Sequence, residues 1–242
     1  MLRIVSYNIH KGFSPLNRQV VLEPLRQQLQ QMQADVVFLQ EVQGEHARHP
    51  RRHAAYPNQA QHEFLAAGYW PHQVYGKNCV YAAGHHGNAI LSHHPIAVWH
   101  NRDISAHRFE SRGLLHAELH WPEAGRVHAL CTHFGLFAGG RRKQVDMLVD
   151  YVRQQIPADE PLILAGDFND WQNRLSAPLA AALGLQDVFQ QQHGQVAKSF
   201  PARWPLLRLD RIYVRGFEVQ HCAVHAVPLS DHALLTAQLR RA

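Results

Sequence analysis

The stretch Leu164-Ala165-Gly166-Asp167-Phe168-Asn169-Asp170, LAGDFND, closes an apolar run at a glycine and then sets two carboxylates and an amide within four positions. The run begins at Leu162, and its length and bounding residues suit a buried strand better than a helix. In an extended chain Asp167 and Asn169 project to one side and Phe168 to the other. That reading puts two polar groups at a strand end with an aromatic anchor behind them, and the glycine lets the chain turn there. An Asx-turn over the same residues is the plainer alternative.

Working outward, residues 2–7, 35–39, 88–92, 113–119, 127–131, 161–165, 210–214 and 234–239 form short apolar runs bounded by turn formers, which predicts strands. Two segments carry helical spacing. In residues 18–33 Val21, Leu22, Leu25, Leu29 and Met32 share one face, with Asn17 as the N-cap; in residues 141–155 Val145, Leu148, Val149 and Val152 do so. Strands dominate and helices come early and in mid-chain. The expectation is a single mixed α/β domain over residues 1–242, with helices layered on packed sheets.

Composition agrees with a sizeable core: 46% of the 242 residues are hydrophobic and 18% charged, which excludes a disordered chain. No apolar run approaches the roughly 20 residues of a membrane-spanning helix. The stretch after Met1 is too short for a signal peptide, so a cytoplasmic protein is expected. Cys79, Cys131 and Cys222 are far apart and flanked by apolar residues, as reduced core thiols would be. A formal charge of +5 and 20 histidines favour polyanionic partners, though weakly.

The strand ends carry the chemistry. The first predicted strand runs into Asn8, the second into Glu41, the fifth into His133 and the sixth into Asp167 and Asn169, while Asp210 lies within an apolar run and Asp231-His232 precedes the last one. Each alone has an ordinary explanation: a turn cap for Asn8 or Asp231, a helix start for Glu41, a core hydrogen bond for His133, an ion pair with Arg211 for Asp210. Together they are chemically complementary. A carboxylate can orient water, an amide can donate to a phosphoryl oxygen, and Glu41 is a hard oxygen ligand of the kind Mg²⁺ takes. His133 and His232 can donate to oxygens that gain charge, and Asp210 can fix the His232 ring.

These motifs, SYNIHKG, FLQEV, GNAILSHHPI, THFG, AGDFND, LDRIYV and SDHALL, resemble in kind and order those of the endonuclease/exonuclease/phosphatase superfamily, and they extend from residue 6 to 235. NIHKGF, GDFNDW and PLLRLDRIYV are similar to a small bacterial, YbhP-like branch. The resemblance implies an α/β (α+β) four-layer sandwich, two packed mixed β-sheets flanked by helices, with the site at the strand ends along one edge. It implies Glu41 as a metal ligand with Asn8 beside it and Asp231 near the metal, and Mg²⁺ as cofactor with Mn²⁺ able to replace it. It further implies Asp167 as the residue acting on the attacking water, Asn169 and His133 as contacts to the scissile phosphate, and His232 with Asp210 stabilising developing charge. His10 stands where abasic-site endonucleases have an aspartate, which argues against a base-repair enzyme.

Two basic stretches follow site residues, EHARHPRRH after Glu41 and GLFAGGRRK after His133. Arg141, Arg142 and Lys143 would open a helix, where cations oppose the macrodipole, so Arg141 and Arg142 are expected to bind substrate. Arg112 is a third candidate, able instead to anchor a strand. Leu136, Phe137 and RWPLLR make these rims amphipathic, as contact with a phospholipid surface at the inner membrane would need. A nucleic-acid groove would carry similar charge. The pairs His85-His86 and His93-His94 lack the helical spacing of a second metal site. The expected protein is a monomeric metal-dependent phosphoesterase acting on an anionic phosphodiester or monoester, with a nuclease as second reading and a non-catalytic polyanion-binding module as third.

Overall fold

The computed structural model describes residues 1–123 and 125–242. One six-stranded sheet contains β1 (Leu2–Asn8), β2 (Val36–His46), β3 (His72–Tyr81), β4 (Gly84–Ser92), β11 (Phe217–His225) and β12 (Leu234–Arg241). The other contains β5 (Ile96–Asp103), β6 (Gly113–Trp121), β7 (Gly125–His133), β8 (Leu162–Asp167), β9 (Gln186–Asp187) and β10 (Asp210–Arg215). Their orders are β11-β12-β1-β2-β4-β3 and β5-β6-β7-β8-β10-β9. The helices are α1 (Leu22–Gln31), α2 (His49–Arg52), α3 (Gln61–Ala66), α4 (Ala138–Gln155), α5 (Ser176–Leu183) and α6 (Val188–His193).

Strand alternation divides the apolar residues between three layers of packing. Ile4, Val36, Phe38 and Ile90 point inward and meet Leu115, Ala129, Ile163 and Ile212 of the second sheet. Val5, Tyr7, Val37 and Leu39 point outward, under Leu22, Leu25 and Leu29 of α1. On the far side Leu130, Leu162 and Leu164 lie under Val145, Leu148, Val149 and Val152 of α4 and Leu179 of α5. The result is the expected four-layer sandwich of two mixed sheets between helices. Each such aliphatic side chain contributes about 1.5–3 kcal/mol by leaving water.

Several local expectations are corrected. Asn17 does not cap α1; it lies in a short 3₁₀ turn with φ 55°, and the helix starts after Val21. β2 does not stop near Leu39 but continues to His46, past an irregularity between Leu39 and Val42. Gly166 does not turn the chain. It pairs within β8 opposite Thr132, where a Cβ would lie 1.9 Å from the Thr132 carbonyl oxygen, so only glycine permits β7 and β8 to approach. The three cysteines are unpaired. No helix among the described residues is long and apolar enough to cross a membrane.

Candidate active site at one edge of the sandwich

Topology collects the polar strand ends. β1 and β2 are parallel, with Asn8 level with Gln40, and β7 and β8 are parallel, with His133 level with Asp167. Antiparallel neighbours start where these strands finish: Asp210 opens β10 opposite Asp167, and His232 lies just before β12. The two sheets meet through Asn8, whose Nδ2 donates to Asp167 Oδ2 at 3.1 Å and to Glu41 Oε1 at 3.5 Å. Ser230 Oγ, donating to the Asn8 carbonyl at 2.7 Å, ties the last loop to the same strand end.

Asp167 is buried and fixed from two sides, its Oδ1 accepting from the Asn169 backbone N–H at 2.9 Å. Asn169 has φ 49°, so the extended geometry ends at Asp167 and the Asx-turn and the polar presentation coexist. The Asn169 amide donates to the Phe134 carbonyl at 2.9 Å and keeps a second N–H. Phe168 is the expected anchor, edge-on to Phe134 and Tyr213. Asp170 accepts from the backbone N–H groups of Arg174 and Leu175, as a turn residue.

His232 bridges two carboxylates. Its Nδ1 lies 2.8 Å from Asp210 Oδ2, and its Nε2 3.7 Å from Asp167 Oδ2. Burial works against its charge, but Asp210, Asp167 and Asp231 overcome that and raise its pKa to about 10. His232 is therefore an imidazolium at neutral pH. Asp167, Asp210 and His232 bring ligand atoms within 4.8 Å of one another. Because Nδ1–H is spent on Asp210 and the ring is cationic, this trio holds a proton better than a metal.

His133 is its neutral counterpart. Burial, reinforced by Arg112, pushes its pKa down to about 4, while Nε2 sits 3.4 Å from Asp167 Oδ2. Glu41 occupies the irregularity in β2 with φ 55°, a left-handed backbone that costs a non-glycine residue energy and turns its carboxylate outward from the sheet. Burial pushes the Glu41 carboxyl up, but His133, Lys11, His10 and the Asn8 amide outweigh it and hold the pKa at about 2. With His133 neutral, Lys11 supplies the main positive charge at neutral pH, its Nζ 3.5 Å from Glu41 Oε2. A position where an ammonium already rests on an ionised, half-buried carboxylate fits a hard divalent cation, with Glu41 as donor and the Asn8 Oδ1, which accepts from the His10 N–H at 3.1 Å and keeps a second lone pair, beside it. Asp231 is turned toward His10, its Oδ1 3.3 Å from Nδ1, and is not among the residues lining the cleft.

A cleft of about 600 Å³ opens over this array, lined by Lys11, Glu41, His86, Arg112, His133, Asn169, Trp171 and His232, with Leu136, Phe200, Leu207 and Leu209 on its apolar side. Arg112 is in place for an anion: its buried Nε has no partner. Arg141 corrects its expectation. It is 3% exposed and donates to the carbonyls of Gly135 and Leu136, so it holds the loop after His133 instead of facing the cleft. Arg142 is exposed and lines, with Arg141 and Arg174, a separate pocket. Lys11 and Trp171 lie inside the motifs SYNIHKG and GDFNDW, and His86 was weighed only as half of a histidine pair, so none of the three was expected in the site.

The buried histidines give a pH dependence. His133 and His116, the latter brought to about 3 by burial and its neighbours His128 and His100, stay neutral in the fold but titrate near 6.5 once unfolded. Their lowered pKa values mean that the unfolded chain takes up more protons below 6.5, so stability is full above that pH and falls toward 4. At about pH 5 each costs about 2 kcal/mol, and thermal melts should show a clearly lower midpoint there than at neutral pH. A midpoint unchanged between the two would contradict the burial of these rings.

The sequence profile of the "Endonuclease/Exonuclease/phosphatase family" matches residues 5–232. YbhP of Escherichia coli (strain K12), described as an uncharacterized protein, is 42% identical over 244 residues, covering 98% of this chain and 95% of its own. An endonuclease/exonuclease/phosphatase from Beutenbergia cavernae superposes with a TM-score of 0.78 at 23% identity, over 99% of this chain and 71% of its own. Mannosyl-6-phosphatase Bt3783 of Bacteroides thetaiotaomicron does so with 0.75 at 15%, over 99% and 100%. D. rerio TDP2 complexed with a single-strand DNA product gives 0.72 at 21%, over 99% and 98%. At these identities the structures establish a shared fold.

Proposed function

Because the chain belongs to the endonuclease/exonuclease/phosphatase family, we propose that it is a metal-dependent phosphoric ester hydrolase in which Asp167 directs water in line at phosphorus. The observation that carries this reading is the continuous chain Glu41–Asn8–Asp167–His232–Asp210, which joins an ionised carboxylate, an oriented base and an imidazolium. Asp167 is held by Asn8 and by the Asn169 N–H and keeps lone pairs free to accept a proton from water. His232 donates to oxygens that become more negative, with Asp210 keeping its proton in place. Neutral His133, the spare N–H of Asn169 and the unpartnered Nε of Arg112 supply further donors around the phosphoryl group. A divalent metal on Glu41 and Asn8, Mg²⁺ or Mn²⁺, would offset phosphoryl charge when bound.

The rim supports a phosphodiester presented at a lipid surface. Leu136, Trp171 and Leu207 line the cleft, and beside them Phe137, Trp204 and Leu206 are 72%, 70% and 67% exposed. Exposed aromatic and aliphatic side chains in the same segment as Arg203 and Arg208 suit partial insertion among anionic headgroups. Trp171 and Trp204 equally offer stacking faces to a single strand, the observation favouring a nuclease, and the fold relative TDP2 was solved with such a product. The two separate on a substrate panel with Mg²⁺: anionic phospholipid vesicles, plasmid DNA, single-stranded DNA and RNA. Lipid phosphodiester cleavage that falls in Trp204→Ala and Phe137→Ala is expected. Rapid nucleic-acid cleavage with untouched vesicles would replace the lipid reading by the nuclease one, and binding without cleavage of any phosphoester would leave a polyanion-binding module.

A further inference from the structure

On the far face of the second sheet, under α4, the packing is interrupted by polar residues. β6 and β7 place His116, Glu118 and His128 on the face that carries Leu114 and Leu130, and His128 stands level with Glu118. His116 and His128 are 2% and 1% exposed. One ligand atom from each of the three lies within 4.8 Å of the other two. His128 precedes His133 by five residues on β7, roughly 16 Å along the strand, so this cluster is separate from the cleft.

Two ring nitrogens face each other, His116 Nε2 and His128 Nδ1, 2.9 Å apart. Their outer nitrogens are engaged as those of metal-bound histidines usually are: His128 Nε2 with Glu160 Oε2 at 2.6 Å, and His116 Nδ1 with Tyr151 Oη at 2.9 Å. Arg126 pairs with Glu160 and lies 3.7 Å from Glu118, so two carboxylates face a single guanidinium and the local balance is negative. His100, level with His116 on β5, and Tyr151 line a groove of about 530 Å³ beside the cluster, and Glu118 itself is 22% exposed.

We propose that His116, Glu118 and His128 form a second metal site, for Zn²⁺ or a similar borderline ion, that clamps β6 to β7 and, through Tyr151 and Glu160, to α4 and the start of β8. Two imidazoles and one carboxylate are a zinc donor set that leaves a fourth tetrahedral position for water. Metal–nitrogen bonds of about 2.0–2.1 Å require the two nitrogens to part by only about half an ångström. The electron balance is simple. The proton on His116 Nε2 moves to Nδ1, where Tyr151 Oη accepts it, and His128 keeps its Nε2 proton on Glu160, so two lone pairs are freed and no proton leaves the pair.

The test is Co²⁺ titration of the full chain carrying Glu41→Gln, which removes the cleft's carboxylate donor. A single Co²⁺ with the intense visible bands of tetrahedral coordination, displaced by Zn²⁺, is expected, together with a raised thermal midpoint. The bands should vanish in His116→Gln and His128→Gln. Should those buried variants unfold, Glu118→Gln decides, since its side chain is only half-buried and its loss should weaken Co²⁺ binding at least about tenfold with the fold retained. Absence of tetrahedral bands in the Glu41→Gln protein, or bands unchanged in Glu118→Gln, would overturn the site.

Discussion

Asp167→Asn should fold as the parent does, bind substrate with nearly the same KM, and lose about 10³-fold in kcat, some 4 kcal/mol of transition-state stabilisation. Asparagine has the shape of aspartate and keeps the packing of Phe168, but its single oxygen can accept from only one of the Asn169 N–H and the Asn8 amide, so one buried hydrogen bond is given up. It cannot take a proton from water. The large loss should therefore fall on turnover, with circular dichroism like the parent's and a melting midpoint only a few degrees lower. A kcat within tenfold of the parent's would remove Asp167 from the role of base.

His232→Gln should cost about 10²–10³-fold in kcat, because a cation aimed at the developing charge is lost while a neutral donor remains. Asp210→Asn should act through His232 and identify the pairing. In the parent the raised pKa keeps His232 protonated until pH approaches about 10, so its contribution is present below that pH and disappears above it. Without the Asp210 charge the pKa falls, and the alkaline limb of the pH–rate profile should move to lower pH while the acid limb stays. A profile of kcat against pH for the two proteins measures this directly. An alkaline limb that does not move would mean that Asp210 serves only packing.

Much of this was legible in the chain because central strands leave a clear trace. The eight apolar runs read as strands correspond to β1, β2, β4, β6, β7, β8, β10 and β12. Four strands left no such trace, β3, β5, β9 and β11, and all four stand at sheet edges. An edge strand is covered on fewer sides, so its sequence can stay polar: β5 is mostly exposed, with Trp99 and Val98 among its outward residues. The short helices α2, α3, α5 and α6 were missed because four to eight residues carry too little periodicity to be read.

The site divides along the same line. Asn8, Glu41, His133, Asp167, Asn169, Asp210 and His232 were found because polar residues at the ends of apolar runs are conspicuous, and the structure brings them together at one edge. Glu41 owes its outward carboxylate to a left-handed backbone that no pattern announces. Lys11 and Trp171 arrive from connections whose path depends on the whole fold, and His86 from β4, past the irregularity that displaces it relative to β2. Arg141 misled because charge is visible in sequence and burial is not; its guanidinium satisfies loop carbonyls, a structural task that basic composition resembles.

Hydrolysis of phosphoric esters at this edge of the sandwich, with a metal on Glu41 and water on Asp167, is read from nitrophenol release from bis-p-nitrophenyl phosphate by chelator-treated protein, before and after Mg²⁺ is restored, with Glu41→Gln run alongside. No release is expected under chelation, recovery on Mg²⁺ addition, and no recovery in Glu41→Gln. Release that persists under chelation, or that Glu41→Gln supports at the parent's rate, would contradict that mechanism.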